Sequence, residues 1–205
     1  MGLPLLEIQQ NHSEKMGKEQ NSEYYDHAFK GNAQYLCDPD KSKYYDMWNI
    51  ALSWLKKSEW LVELGSGTGQ FAELALSRGY EYLYGVDFSK EAVKIANERI
   101  GKRIFYEKNI VYENPFVDSI HETVICFETL EHIEDDIAVV KKVQSGKRFI
   151  FSVPNFDDPG HVRTFRNEKE VLVRYGDLLN LKQVFVYSFP NTESKIFLFD
   201  TVRKI

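Results

Sequence analysis

The stretch Val62–Glu63–Leu64–Gly65–Ser66–Gly67–Thr68–Gly69 limits what this chain can fold into more than any other. Trp60 to Leu64 reads as a short apolar strand. Three alternating glycines follow, and a helical pattern then runs from Gln70 to Arg78, ending near Gly79. The glycines permit a tight turn and let another group approach the main chain closely. The helix that starts there leaves its first N–H groups free. A strand that enters a helix in this way belongs to a layered α/β arrangement, in which each crossover returns to a parallel neighbour.

The rest of the chain keeps that rhythm. Strands are expected at Tyr82–Val86, Arg103–Ile110, Glu122–Phe127 and Arg148–Val153, the last ended by Pro154. Between them, Ser89 caps a helix through Ile100 with Gly101 as its stop. Further helices are expected at Asp135–Val143 and Glu168–Leu179. Two closing strands, Val184–Phe189 and Ile196–Val202, are joined only by the turn-rich Pro190–Ser194, so they must run antiparallel. The expected fold is α/β: a Rossmann-like, doubly wound, seven-stranded and mostly parallel sheet with an antiparallel C-terminal hairpin. Upstream, Tyr24, Tyr25, Ala28 and Phe29, then Tyr44, Met47, Trp48, Ala51, Leu52 and Leu55, recur at helical spacing around a break at Cys37–Lys43. Residues 1–22 are therefore read as a flexible tail, 23–57 as a helical lid and 58–205 as the main domain.

Composition narrows the function classes. A chain of 205 residues, 43% hydrophobic, suits one domain with a sizeable core. The 14 Phe and 12 Tyr read first as core and second as pocket walls. The net charge of −5 argues against a general nucleic-acid binder. Lys141, Lys142, Lys147, Arg148, Arg163, Arg166, Lys169 and Arg174 give one region a positive lean, read as solvated surface. Cys37 and Cys126 form no metal spacing and no disulfide framework, which suits a reducing cytoplasm. No apolar run reaches membrane-spanning length. Met1–Ile8 makes a poor leader, and Leu6 stands where acylation of Gly2 would want Ser or Thr.

The chemistry starts with two acids. Asp87 ends the second strand, 18 residues beyond Gly69, where a carboxylate can hold two ribose hydroxyls. A dinucleotide fingerprint is not excluded by the glycines. Counted from Gly65 its third glycine would be Gln70, but counted from Gly67 the allowed Ala falls at Ala72. Glu63 weighs against it: a carboxylate two residues before the first glycine suits a cationic amino group better than a pyrophosphate.

With Glu63, Gly65, Gly67 and Gly69 as acid-x-Gly-x-Gly-x-Gly, and Asp87 in Gly-Val-Asp-Phe-Ser, residues 58–205 resemble the class I methyltransferases. The resemblance implies S-adenosyl-L-methionine as cofactor. It implies that Glu63 and the glycine turn hold the methionine part, that Asp87 binds ribose with Phe88 beside the adenine, and that Asn109 meets the adenine amino group. It also places the loop Phe127–Glu128–Thr129–Leu130–Glu131–His132 near the sulfonium and the acceptor.

Glu-x-x-Glu-His is similar to two subgroups. One is the quinone-biosynthesis-like small-molecule methyltransferases, which also share the pattern Val153–Pro154–Asn155 followed by His161–Val162–Arg163. The other is the small-RNA 3′-terminal 2′-O-methyltransferases, where two Glu and two His bind a divalent metal; Glu128, Glu131, His132 and His161 could supply that set. The first subgroup is favoured, with no metal expected and a small-molecule acceptor methylated at O or N. His132, then His161, is the candidate base for a hydroxyl acceptor. Tyr24, Tyr25, Tyr44 and Glu128 are candidate acceptor contacts. A metal-dependent RNA 2′-O-methyltransferase, a nicotinamide-dependent oxidoreductase and a non-catalytic partner are the alternatives. Membrane and nucleic-acid partners are not expected, and the oligomeric state is not legible.

Overall fold

The computed structural model describes residues 17–117 and 120–205. The readings on Gly2, Leu6, Met1–Ile8 and most of the polar tail lie outside the described residues. Three helices come first: α1 (Ser22–Gly31), α2 (Ala33–Leu36) and α3 (Tyr45–Ser53). Then strands and helices alternate as β1 (Leu61–Leu64), α4 (Gln70–Ser77), β2 (Leu83–Asp87), α5 (Lys90–Ile100), β3 (Phe105–Glu107), β4 (Thr123–Cys126), α6 (Asp136–Lys142), β5 (Arg148–Pro154) and α7 (Glu168–Tyr175). β6 (Leu179–Ser188) and β7 (Lys195–Arg203) close the chain.

The strands form one seven-stranded sheet in the order β3-β2-β1-β4-β5-β7-β6. β1 through β5 pair in parallel, and β7 runs antiparallel to both β5 and β6. The expected architecture is present, with β7 inserted between β5 and β6. Strand order reverses between β1 and β4, which opens a crevice at the carboxyl ends of those two strands.

Burial explains why the central strands read as unbroken apolar runs. Val62, Leu64, Val124, Cys126, Phe149, Phe151, Phe197 and Phe199 face α6 and α7 on one side. Leu61, Ile125, Ile150 and Leu198 face α3, α4 and α5 on the other. A strand covered on both faces has no polar positions to alternate with. Most of the aromatic residues serve this core, as in the stacked rings of Phe149, Phe151 and Phe199.

Three boundaries differ from expectation. α7 ends at Tyr175 rather than Leu179, and β6 begins at Leu179 rather than Val184. Gly176 donates its N–H back to Leu172 and closes the helix, and a bulge between Leu181 and Gln183 breaks the alternation that would reveal the strand. β3 shrinks to Phe105–Glu107 because Asn109 and Glu113 turn the chain right after it. In addition, Met47 and Ala51 on α3 are fully buried against the sheet, while Trp48 of the same helix and Tyr44 at its start line the crevice.

The positive lean also changes meaning. Arg148 makes a two-pronged bond to Asp200 at 2.8 Å on each prong, across neighbouring β5 and β7. Lys142 donates to the carbonyls of Ile110, Val111 and Glu113. Arg163 and Arg174 converge on fully buried Asp136. Lys147 donates to the His121 carbonyl, so five of the eight cations read as surface are internal ties.

Candidate functional site

A cavity sits at the reversal point, between the carboxyl ends of β1, β2 and β4 and the underside of α1. The glycine turn forms its floor. Gly65, Gly67 and Gly69 have φ of 69°, 51° and 77°, values that other residues adopt only at a cost. At Gly65 a side chain would also collide with Thr129. Gly69 differs from its expected role. It does not line the cavity; a Cβ there would lie 3.0 Å from Ala96, so it lets α4 pack on α5.

Asp87 ends β2 with both oxygens fixed. Oδ2 accepts from the Gly67 N–H at 2.9 Å and Oδ1 from the Ser89 N–H at 2.9 Å. Each oxygen keeps a lone pair for a ligand hydroxyl. Burial raises its pKa to about 6, against the pull of those N–H groups. Glu63 is buried in β1, and its Oε2 has no hydrogen-bond partner among the described residues. Burial, then the charge of Asp87, holds its carboxyl well above the usual carboxylate range. An orphaned buried carboxyl beside a cavity calls for a ligand cation.

Phe88 lines the cavity and packs on Tyr25, ring centroids 5.3 Å apart. Asn109 lines it too, but its side-chain oxygen already accepts from the Val111 N–H at 2.9 Å, so only a remaining lone pair is left for an adenine. Phe127 packs edge-on against Phe71 at 5.0 Å.

The loop after β4 carries the other half. Glu128 adopts φ 46°, one of two non-glycine residues in the left-handed region among those described. Its N–H donates to Ser152 Oγ at 3.0 Å, and that hydroxyl donates back to Oε1 at 2.7 Å. Burial lifts the Glu128 pKa to about 7, with Ser152 and Lys43 opposing the rise. Glu131 is fully buried, and neither of its oxygens has a hydrogen-bond partner among the described residues. Burial first and Glu128 second hold it well above the usual range.

Two imidazoles complete the group. His132 Nδ1 lies 2.9 Å from the Gly160 carbonyl and 2.9 Å from the Tyr25 hydroxyl. A carbonyl can only accept, so Nδ1 carries the proton and Nε2 is left with its lone pair. His161 Nδ1 is likewise 3.0 Å from the Phe156 carbonyl. Burial and the neighbouring His161 bring the His132 pKa down to about 4, and burial lowers that of His161. One donor atom from each of Glu131, His132 and His161 lies within 4.8 Å of the others.

Around them, α1 closes the roof. Asp26 Oδ1 accepts from Ser89 Oγ and from the Glu91 N–H, clasping α1 to the first turn of α5. Tyr25 and Tyr44 reach the cavity as expected, but Tyr24 does not. Successive helical residues point about 100° apart, and Tyr24 is turned to solvent against the edge of Tyr25. Tyr35, Lys43, Phe156 and Asp158, which no sequence motif marks, also line the cavity. Lys43 Nζ sits 4.8 Å from the Tyr44 ring centre and 5.7 Å from that of Phe156.

Residues 62–145 match a family described as a methyltransferase domain. The sequence matches no curated protein. Solved structures share the fold. The N-methyltransferase NodS from Bradyrhizobium japonicum WM9, in complex with S-adenosyl-l-homocysteine, is 17% identical over 90% of this chain and 99% of that one, with a TM-score of 0.66. Magnesium protoporphyrin IX methyltransferase from Synechocystis PCC 6803 is 17% identical over 78% and 83%, with a TM-score of 0.61. A chain from a complex with the Haloferax volcanii Trm112 methyltransferase activator is 16% identical over 88% and 98%, with a TM-score of 0.70.

Proposed function

From a chain that carries a methyltransferase domain in the class I methyltransferase fold, we propose an enzyme that binds S-adenosylmethionine and moves its methyl group to an O or N atom of a small acceptor. The observation that carries this reading is the buried, unpartnered Glu63 carboxyl beside Asp87. Glu63 would meet the ammonium of the cofactor's amino acid, and Asp87 its ribose hydroxyls. The cofactor supplies a methyl group already activated on a sulfonium, so the protein's work is alignment. Tyr25, Tyr44, Phe156 and Glu128 hold the acceptor in line. For a hydroxyl acceptor, the Nε2 lone pair of His132 takes the proton, and Nδ1–H stays tied to the Gly160 carbonyl.

Calorimetric titration tests the cofactor half. Burial holds the Glu63 carboxyl well above the usual carboxylate range, so an ammonium arriving beside it is expected to displace a proton. S-adenosylmethionine binding near neutral pH is therefore expected to release protons, so its enthalpy should follow the ionisation enthalpy of the buffer. Affinity should strengthen as pH rises from 5 toward 8, the direction set by the raised carboxyl pKa values. Glu63→Gln should remove most of that release. Binding of NADH instead would sink the reading.

A second reading has one observation in its favour. Glu131, with both oxygens orphaned, and two imidazoles pinned at Nδ1 by backbone carbonyls make three convergent lone-pair donors. Metal-binding imidazoles are oriented in this way. These residues fit a divalent cation of the Mg²⁺ or Mn²⁺ kind, with Glu128 close by. Such an ion would lower the pKa of an acceptor hydroxyl. Mn²⁺ titration with spectroscopic detection decides: under this reading binding is tight and Glu131→Gln weakens it about a hundredfold. Full methyl transfer in excess chelator would exclude it.

A further inference from the structure

α1 is held differently from the helices packed on the sheet. No side chain of α1 or α2 joins either hydrophobic core. Phe29 is the one buried side chain of α1, and it lies against Gly67 of the cavity floor and the ring of Tyr35. The apolar face of α1 therefore covers the cavity rather than the sheet. α2 is pinned from below, where Gln70 Nε2 donates to the carbonyls of Gln34 and Cys37 and Arg99 to that of Leu36. α1 has polar ties only at its sides. Asp26 reaches Ser89 and Glu91, Tyr25 reaches His132, exposed Lys30 lies 3.4 Å from Glu91, and just upstream Glu19 accepts from the Glu134 N–H. At the junction of the two helices, a Cβ on Gly31 would meet nothing within 4 Å.

Two adjacent residues of α1 dock on two adjacent residues after β2. Tyr25 packs on Phe88, and Asp26 Oδ1 accepts from Ser89 Oγ at 2.5 Å and from the Glu91 N–H at 3.1 Å. The Glu91 N–H is one of the donors left free at the start of α5, where a carboxylate is favoured. Ser89 in turn donates its N–H to Asp87. Asp26 itself does not line the cavity. We propose, resting on the methyl-transfer reading, that Asp26 is a positioning residue for the cofactor. Acting through Ser89, it latches α1 over Asp87 and Phe88, and the cofactor enters and leaves when α1 swings about Gly31–Asn32. The latch holds with and without the cofactor. Releasing it opens the way in and the way out alike, so rates change while affinity changes little.

The rates at which S-adenosylhomocysteine binds to and leaves the immobilised full chain, read by surface plasmon resonance, test it. Asp26→Ala is expected to raise association and dissociation together, each by about tenfold, while Kd moves by less than about threefold. Asp26→Asn keeps Oδ1 as an acceptor for both donors, so it should restore most of the wild-type rates. Asp26 is half-buried and outside both cores, so thermal melting should move little in either variant. A residue that merely held the ligand would raise dissociation alone, and that result overturns the proposal. So do rates that Asp26→Ala leaves unmoved. No binding by the wild-type chain would sink the methyl-transfer reading and the latch with it, whereas binding at unmoved rates sinks the latch alone.

Discussion

Asp87→Ala is expected to weaken S-adenosylmethionine binding by about a hundredfold or more. The carboxylate can accept two charge-assisted hydrogen bonds from ribose hydroxyls, each worth roughly 1.5–3 kcal/mol. Its oxygens also hold the Gly67 and Ser89 N–H groups, which shape the turn before the ligand arrives. Without it, the ligand loses two acceptors and meets a looser floor. The turn opens onto a cavity that water can enter, so folding should survive with a modest drop in Tm. Titration calorimetry, with thermal melts as control, checks this. Asp87→Asn should fall between, keeping one acceptor and losing the charge. A loss of less than about tenfold in Asp87→Ala would remove Asp87 from the ribose site.

Asp136→Ala is expected to cost about 3–5 kcal/mol of stability. Asp136 is fully buried at the start of α6. It accepts from Arg174 at 2.7 and 2.5 Å, from the Tyr175 hydroxyl at 2.6 Å, and pairs with Arg163 at 3.1 Å. Removing it leaves the largely buried Arg163 guanidinium without its anion, which is the costly way to break a buried pair, while Arg174, with 35% of its side chain exposed, can turn to water. Arg163 donates to the carbonyls of Leu130, Ile133 and Glu134, and the Val162 N–H donates to the Glu131 carbonyl. The turn bearing Glu131 and His132 is therefore held by the same anchor. Denaturant unfolding should show the loss. A change under about 1 kcal/mol would mean that the arginines find other partners.

The glycine turn, Glu63 and Asp87 were legible because one strand–turn–helix unit fixes all of their spacings. Strand positions followed from apolar runs, and the antiparallel sense of the last two from the missing helix between β6 and β7; the order of the strands in the sheet did not follow from the sequence. The cavity's other walls were not legible. Lys43 and Phe156 are brought together by the sheet from distant parts of the chain, and no local pattern marks them. Tyr24 and Tyr25 are equivalent in composition, and only the phase of α1 separates them. Arg148 and Arg174 read as solvated charges because their anions, Asp200 and Asp136, lie 52 and 38 residues away. Gly69 kept the spacing of a ligand-binding glycine while serving helix packing instead.

The backbone at Glu128 sets stability and chemistry against each other. A side chain held at φ 46° costs roughly 1 kcal/mol that glycine would not. Any campaign that ranks variants of this protein by heat resistance would therefore favour glycine at position 128. It would discard the one carboxylate that Ser152 aims into the pocket. Selection for robustness and selection for turnover pull this position in opposite directions, so libraries built here should be sorted on function before they are sorted on temperature.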